Sequence, residues 1–104
     1  MKVLFICNQN QHRSKTAEAL FKSRFTTQSA GLYNEQPVTE EQLSWADLVV
    51  VMEDSQRKEL SERFPTQYLQ KRILSLEIPD VYHYNQKELI DVLETKIKEI
   101  LCLA

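Results

Sequence analysis

The sequence predicts one α/β domain over residues 1–104, a four-stranded parallel sheet with helices on both faces in three layers. Three observations carry this. Apolar runs without polar alternation occur at VLFI (3–6) and LVVVM (48–52), as strands buried on both faces require. Between such runs, apolar residues recur at helical spacing. The signals alternate as βαβαβαβα, which implies parallel strands joined by right-handed crossovers.

KVLFI (2–6) is the first strand, and the polar residues 7–12 do not continue it. Ser14, Ala17, Leu20, Phe21 and Phe25 share helical spacing, so 14–25 reads as an amphipathic helix. Residues 27–30 read as a short strand ending at Gly31, the only glycine. Thr39 and Gln42 fit a capping box for a short helix through Trp45, which reads as core. LVVVM is the clearest buried strand. Asp54 or Ser55 is expected to cap the next helix, which must stop near Phe64 because Pro65 follows. RILSL, within 69–76, supplies another strand. Asn85 and Glu88 resemble a cap for a final helix with Leu89, Leu93, Ile97 and Ile100 on one face. Cys102 falls on or beside that face and reads as packing.

Charge and cysteine usage narrow the function. The formal net charge of −2 gives no global field toward nucleic acid or a membrane, so neither is an expected partner. Residues 1–25 carry five basic side chains and one acid, whereas 35–62 carry eight acids and two bases. The first quarter therefore favours an anionic ligand. No stretch has the pattern of a signal peptide or the length of a membrane span. Two distant cysteines make no disulfide framework, and no Cys/His cluster has zinc spacing, so no metal or other cofactor is expected. A free thiol fits a reducing cytoplasm. A monomer or weak dimer is the expected state.

Open parallel sheets bind ligands at the carboxyl ends of their strands. Cys7 lies at such an end, as do Met52–Asp54 and the segment after Leu76. Arg13 follows Cys7 by six positions, with Ser14 behind it. Bent into a loop, the backbone N–H groups of Asn8, Gln9, Asn10, Gln11, His12 and Arg13 can converge on one tetrahedral dianion. The N-terminus of the following helix adds partial positive charge. Arg13 can clamp two phosphate oxygens with its planar fork, which a lysine cannot do. Positive surroundings favour the thiolate of Cys7, the nucleophilic form. Ser14 can donate a hydrogen bond to that sulfur and later help it leave a phosphocysteine. Asn10 suits the loop because Asn tolerates positive φ. A cysteine ending a strand is most often packing. Strand before, helix after and a polar turn between them favour the catalytic reading for Cys7 and Arg13.

The stretch CNQNQHRSKTAEALF resembles the signature of the low-molecular-weight protein tyrosine phosphatases, and SAG (29–31) and VVVMED (49–54) are similar to that family as well. The resemblance implies Cys7 as nucleophile, Arg13 as phosphate clamp, Asn10 as loop anchor and Ser14 as thiolate partner. It implies a phosphorylated substrate, phosphotyrosine in proteins by default. Three positions depart from the pattern. Gln9 stands where the family usually has Gly. His12 stands where many members carry a second Cys that protects the first. In EIPDVYHY, Pro79 precedes Asp80, where the family places Asp before Pro.

A carboxylic acid above the cradle would protonate the leaving oxygen and then deprotonate the hydrolytic water. Asp80 is the expected acid, with Glu77 the alternative; Asp54 is better explained as a helix cap. Tyr82 and Tyr84 are candidates to wall the pocket, and His12 and His83 to add donors for a second phosphate. Other readings are a phosphatase for small metabolites or inositol phosphates, an arsenate reductase, or a non-catalytic phosphate-binding module. Arsenate reduction needs resolving thiols, for which Cys102 is poorly placed. The intact Cys7, Arg13 and Ser14 argue against a mere binder.

Overall fold

The computed structural model describes residues 1–100. Strands β1 (Lys2–Cys7), β2 (Thr26–Gly31), β3 (Leu48–Val51) and β4 (Arg72–Ser75) form one parallel sheet in the order β2-β1-β3-β4. The helices are α1 (Arg13–Phe21), α2 (Glu40–Trp45), α3 (Asp54–Arg63), α4 (Pro65–Gln70) and α5 (Lys87–Ile100). β1 pairs on both sides and is buried from Val3 to Cys7, which explains its unbroken apolar run.

Successive strand residues point to opposite faces and feed two cores. Val3, Phe5, Cys7, Val50 and Met52 pack with Ala17 and Phe21 of α1 and Leu89, Leu93 and Ile97 of α5. Leu4, Ile6, Val49 and Val51 pack with Leu43 of α2 and Leu60 of α3. The three-layer arrangement read from the sequence is present.

The Thr39 capping box forms as expected: Thr39 Oγ1 accepts from the Gln42 N–H (3.2 Å), and Gln42 Oε1 accepts from the Thr39 N–H (3.0 Å). Other boundaries differ. α1 ends at Phe21, not at 25, because the chain must turn for Thr26 to reach the Met1 carbonyl at 3.0 Å and open β2. Phe25 still packs against the first core. The cap of α3 is Glu53 rather than Asp54 or Ser55; Gln56 Oε1 accepts the Glu53 N–H at 2.9 Å. Asp54 sits in the first turn and pairs with Arg57 at 2.8 Å. Pro65 ends α3 but also opens α4, a helix that the alternating pattern lacks. A proline at the first helical position loses no hydrogen bond and has the right φ. Asn85 does not cap α5. It takes a left-handed φ of 59°, and the Gln86 carbonyl accepts the Ile90 N–H. Trp45 is half-buried against the second core. Cys102 lies outside the described residues.

Candidate active site

β1 delivers Cys7 to the carboxyl edge of the sheet, and the chain then leaves the sheet as a loop. The first loop residue is fixed from two sides. The Asn8 carbonyl accepts the N–H groups of Leu32 and Tyr33, both at 2.9 Å. The Asn8 side-chain oxygen accepts from Gln56 Nε2 at 3.0 Å. Gln56 is buried, and its own oxygen accepts the Met52 N–H at 2.8 Å. Close packing under the loop explains Gly31. A Cβ there would stand 3.0 Å from the Asn8 carbonyl oxygen, 3.0 Å from the Gln9 carbonyl carbon and 2.9 Å from Asn34 Cγ. Gln9 is accommodated in the place where the resemblance leads one to expect glycine, with negative φ.

Asn10 adopts the left-handed φ of 54°. This bend aims its N–H at Cys7 Sγ, 3.2 Å away. Ser14 Oγ lies 2.9 Å from the same sulfur and 2.7 Å from Asn10 Oδ1. Sulfur, hydroxyl and amide thus form one chain, of which Cys7 and Ser14 are buried. With the thiol protonated, S–H donates to Ser14 and Ser14 donates to Asn10. With the thiolate, the directions reverse: Ser14 donates to sulfur, and the Asn10 amide, turned over, donates to Ser14. The α1 N-terminus starts at Arg13 with no acidic side chain in its first turn and no side-chain cap. A helix N-terminus carries partial positive charge.

Arg13 is only 1% exposed. Its Nη1 donates to Glu53 Oε1 at 2.5 Å and to the Ile78 carbonyl at 2.7 Å. The guanidinium is therefore held through Nη1 by residues that follow β3 and β4. Asp80 Oδ1 lies 3.7 Å from Nε.

A small cavity of about 40 Å³ is lined by Cys7, Gln9, Gln11, His12, Arg13 and Asp80. The structure so brings Cys7, Arg13 and Asp80 together. Glu77 does not line that cavity; its carboxylate accepts from Ser75 Oγ, and the residue is exposed with φ 54°. Tyr82 does not line it either, being half-buried against the first core. Tyr84 and Gln11 border a neighbouring groove of about 780 Å³ over α1 and β2, which contains no thiol. The His12 and His83 rings meet edge to face with centroids 5.7 Å apart. Among the described residues, no group of three or more His, Cys, Asp or Glu side chains could hold a metal ion. No helix there is long and apolar enough to cross a membrane.

Sequence reasoning missed Glu53, Gln56 and the Ile78 carbonyl. Glu53 follows the strand LVVVM directly and Gln56 lies in the helix just beyond, and nearness to a strand's carboxyl end was their one available signal. A backbone carbonyl carries no signal at all.

No protein-family model matches this sequence, and no curated protein does. Solved structures do match in three dimensions. A YwlE arginine phosphatase mutant, Cys to Ser with a phosphorylated active-site serine, superposes with a TM-score of 0.79 at 22% identity, covering 99% of this chain and 95% of that one. The low-molecular-weight protein tyrosine phosphatase of T. tengcongensis gives 0.78 at 20% identity, covering 100% and 99%. The tyrosine phosphatase Wzb of Escherichia coli K30, in complex with phosphate, gives 0.77 at 22%, covering 95% and 94%. The resemblance read from CNQNQHRSKTAEALF is thus matched by the fold: the chain has the architecture of the low-molecular-weight phosphatases over nearly its full length.

Proposed function

We propose that this protein is a cysteine-dependent phosphatase that hydrolyses phosphomonoesters through a phosphocysteine intermediate. The observation that carries the reading is the convergence of the Ser14 hydroxyl and the Asn10 N–H on Cys7 Sγ, in one cavity with Arg13 and Asp80. The attacking species is the thiolate, to which the Asn10 N–H donates and the Ser14 hydroxyl can turn to donate. The phosphoryl group would sit on the loop N–H groups and the Nε–Nη2 edge of Arg13. Sulfur attacks phosphorus, the P–O bond breaks, and protonated Asp80 gives its proton to the leaving oxygen. Water then attacks the phosphocysteine with Asp80 as base, and Ser14 stabilises the departing thiolate. The phosphorylated active-site serine of the similar arginine phosphatase supports covalent transfer to position 7.

Phosphotyrosine in proteins is the substrate we assign first, by resemblance; small metabolite or inositol phosphates come next. We place the protein in the cytoplasm, where a free thiol persists. The test is hydrolysis of p-nitrophenyl phosphate with a chelator present, by wild type and Cys7→Ser. Wild type should turn over at full rate, while Cys7→Ser should bind phosphate without turnover. Near-normal turnover by Cys7→Ser, or loss on chelation that a divalent ion restores, would overturn the thiol mechanism. A panel of phosphotyrosyl and phosphoarginyl peptides, sugar phosphates and inositol phosphates then assigns the substrate.

A further inference from the structure

Asp80 sits on a loop that must hold its carboxyl over the cradle, yet Asp80 itself is exposed and its one ion-pair contact, at 3.7 Å, is long. Before it, Ile78 is held on both sides, its N–H donating to the Met52 carbonyl at 2.7 Å and its carbonyl accepting from Arg13 Nη1 at 2.7 Å; beyond it, the fixed points lie a few residues later. The Tyr84 N–H donates to His12 Nδ1 at 3.1 Å. The Asn85 N–H donates to Thr16 Oγ1 at 2.8 Å, and that buried hydroxyl donates to the His12 carbonyl at 2.6 Å. Two consecutive loop N–H groups therefore dock on the first turn of α1. The second of them, Asn85, takes the left-handed φ of 59°. A ring nitrogen that accepts an N–H has no proton of its own, so His12 here carries its proton on Nε2. The same His12 lines the Cys7 cavity.

From this geometry we infer that His12 is a positioning residue: its Nδ1 latches the 79–86 loop to the phosphate cradle and so places Asp80 for proton transfer. The inference rests on the phosphatase reading and assigns His12 a different task from holding a second phosphate. The required feature is an acceptor at the Nδ1 position. Asn places its side-chain oxygen near that point, whereas Ala offers nothing.

The experiment compares His12→Ala, His12→Asn and wild type on a good leaving group, p-nitrophenyl phosphate, and a poor one, an alkyl phosphate. Small misplacement of a catalytic group costs up to about 100-fold, and a general acid is worth about 10²–10⁴-fold. His12→Ala should therefore depress the poor-to-good rate ratio by about 10- to 100-fold, and His12→Asn should restore most of it. In an Asp80→Asn background, His12→Ala should leave that ratio unchanged. An equal loss on both substrates, no rescue by Asn, or the same loss without Asp80 would overturn the inference. Amide hydrogen exchange gives a readout independent of activity. Tyr84 should be protected in wild type and His12→Asn but not in His12→Ala; an unprotected Tyr84 in wild type would equally overturn it. Absence of turnover in wild type would instead refute the phosphatase reading, while the exchange result would still decide whether the latch exists.

Discussion

Arg13 and Glu53, forty residues apart in sequence, meet at 2.5 Å between Nη1 and Oε1. The arginine is buried and the glutamate half-open, with side-chain exposures of 2% and 36%. Such a pair orients the fork more than it stabilises the fold, because water screens one partner.

Glu53→Gln should accordingly cost about 1–3 kcal/mol of stability, the scale of one hydrogen bond to a charged group, discounted for that screening. Phosphate affinity and kcat/KM should fall together, since the clamp is loosened before any bond breaks. Urea unfolding and product-inhibition constants check both. Unchanged inhibition by phosphate would mean that the Ile78 carbonyl alone fixes the guanidinium.

Gly31→Ala should damage activity beyond its effect on stability. The added methyl would meet Asn34 Cγ at 2.9 Å and the backbone of Asn8 and Gln9 at 3.0 Å. Overpacking of this kind costs about 1–3 kcal/mol. The backbone at Asn8 and Gln9 leads into the Cys7–Arg13 loop, so any shift there should lower turnover, at a temperature where the variant is folded, at least about tenfold, in keeping with the cost of misplacement. Steady-state kinetics beside a thermal melt decides it.

Asp80→Asn should slow an alkyl phosphate far more than p-nitrophenyl phosphate in the phosphoryl-transfer step, because a good leaving group needs no proton. The general-acid factor sets the size at about 10²–10⁴-fold. Glu77→Gln should leave the ratio unchanged, since Glu77 does not line the cavity. Presteady-state bursts isolate the transfer step from hydrolysis of the intermediate. The opposite pattern would give the acid role to Glu77.

Peroxide should inactivate the protein, and prolonged exposure should become irreversible to dithiothreitol. A thiolate without a nearby partner passes beyond sulfenic acid. Among the described residues Cys7 is the single cysteine, and position 12 carries a histidine. Full recovery after long exposure would identify Cys102 as a resolving thiol.

Much of this arrangement was legible in the residues themselves. VLFI and LVVVM announce doubly covered strands, Thr39 and Gln42 announce a helix start, and Cys7, Asn10 and Ser14 announce the turn that draws Asn10 and Ser14 onto the sulfur, because each depends on neighbours a few positions away. Pro65 misled by being read only as a stop, although the same ring geometry also starts a helix. Glu53 and the Ile78 carbonyl were not legible as partners of Arg13, because contacts 40 and 65 residues apart leave no local pattern. Asp80 could be nominated from its place after a strand, but only the return of the chain over the cradle separates it from Glu77.

That division between near and far contacts has a consequence for the order in which the protein assembles. The thiol and its donors lie within one βαβ unit, residues 2–31. The fixing of Arg13 and the delivery of Asp80 wait for strands from the far half of the chain. Closing short loops is entropically cheaper than closing long ones, so the contacts of Cys7 with Asn10 and Ser14 should form early and those of Arg13 with Glu53 and Ile78 late. A chain caught between the two stages holds Cys7 beside Asn10 and Ser14 yet has neither Arg13 fixed nor Asp80 in place. During refolding, exchange protection of the Asn10 amide should therefore run ahead of the return of turnover.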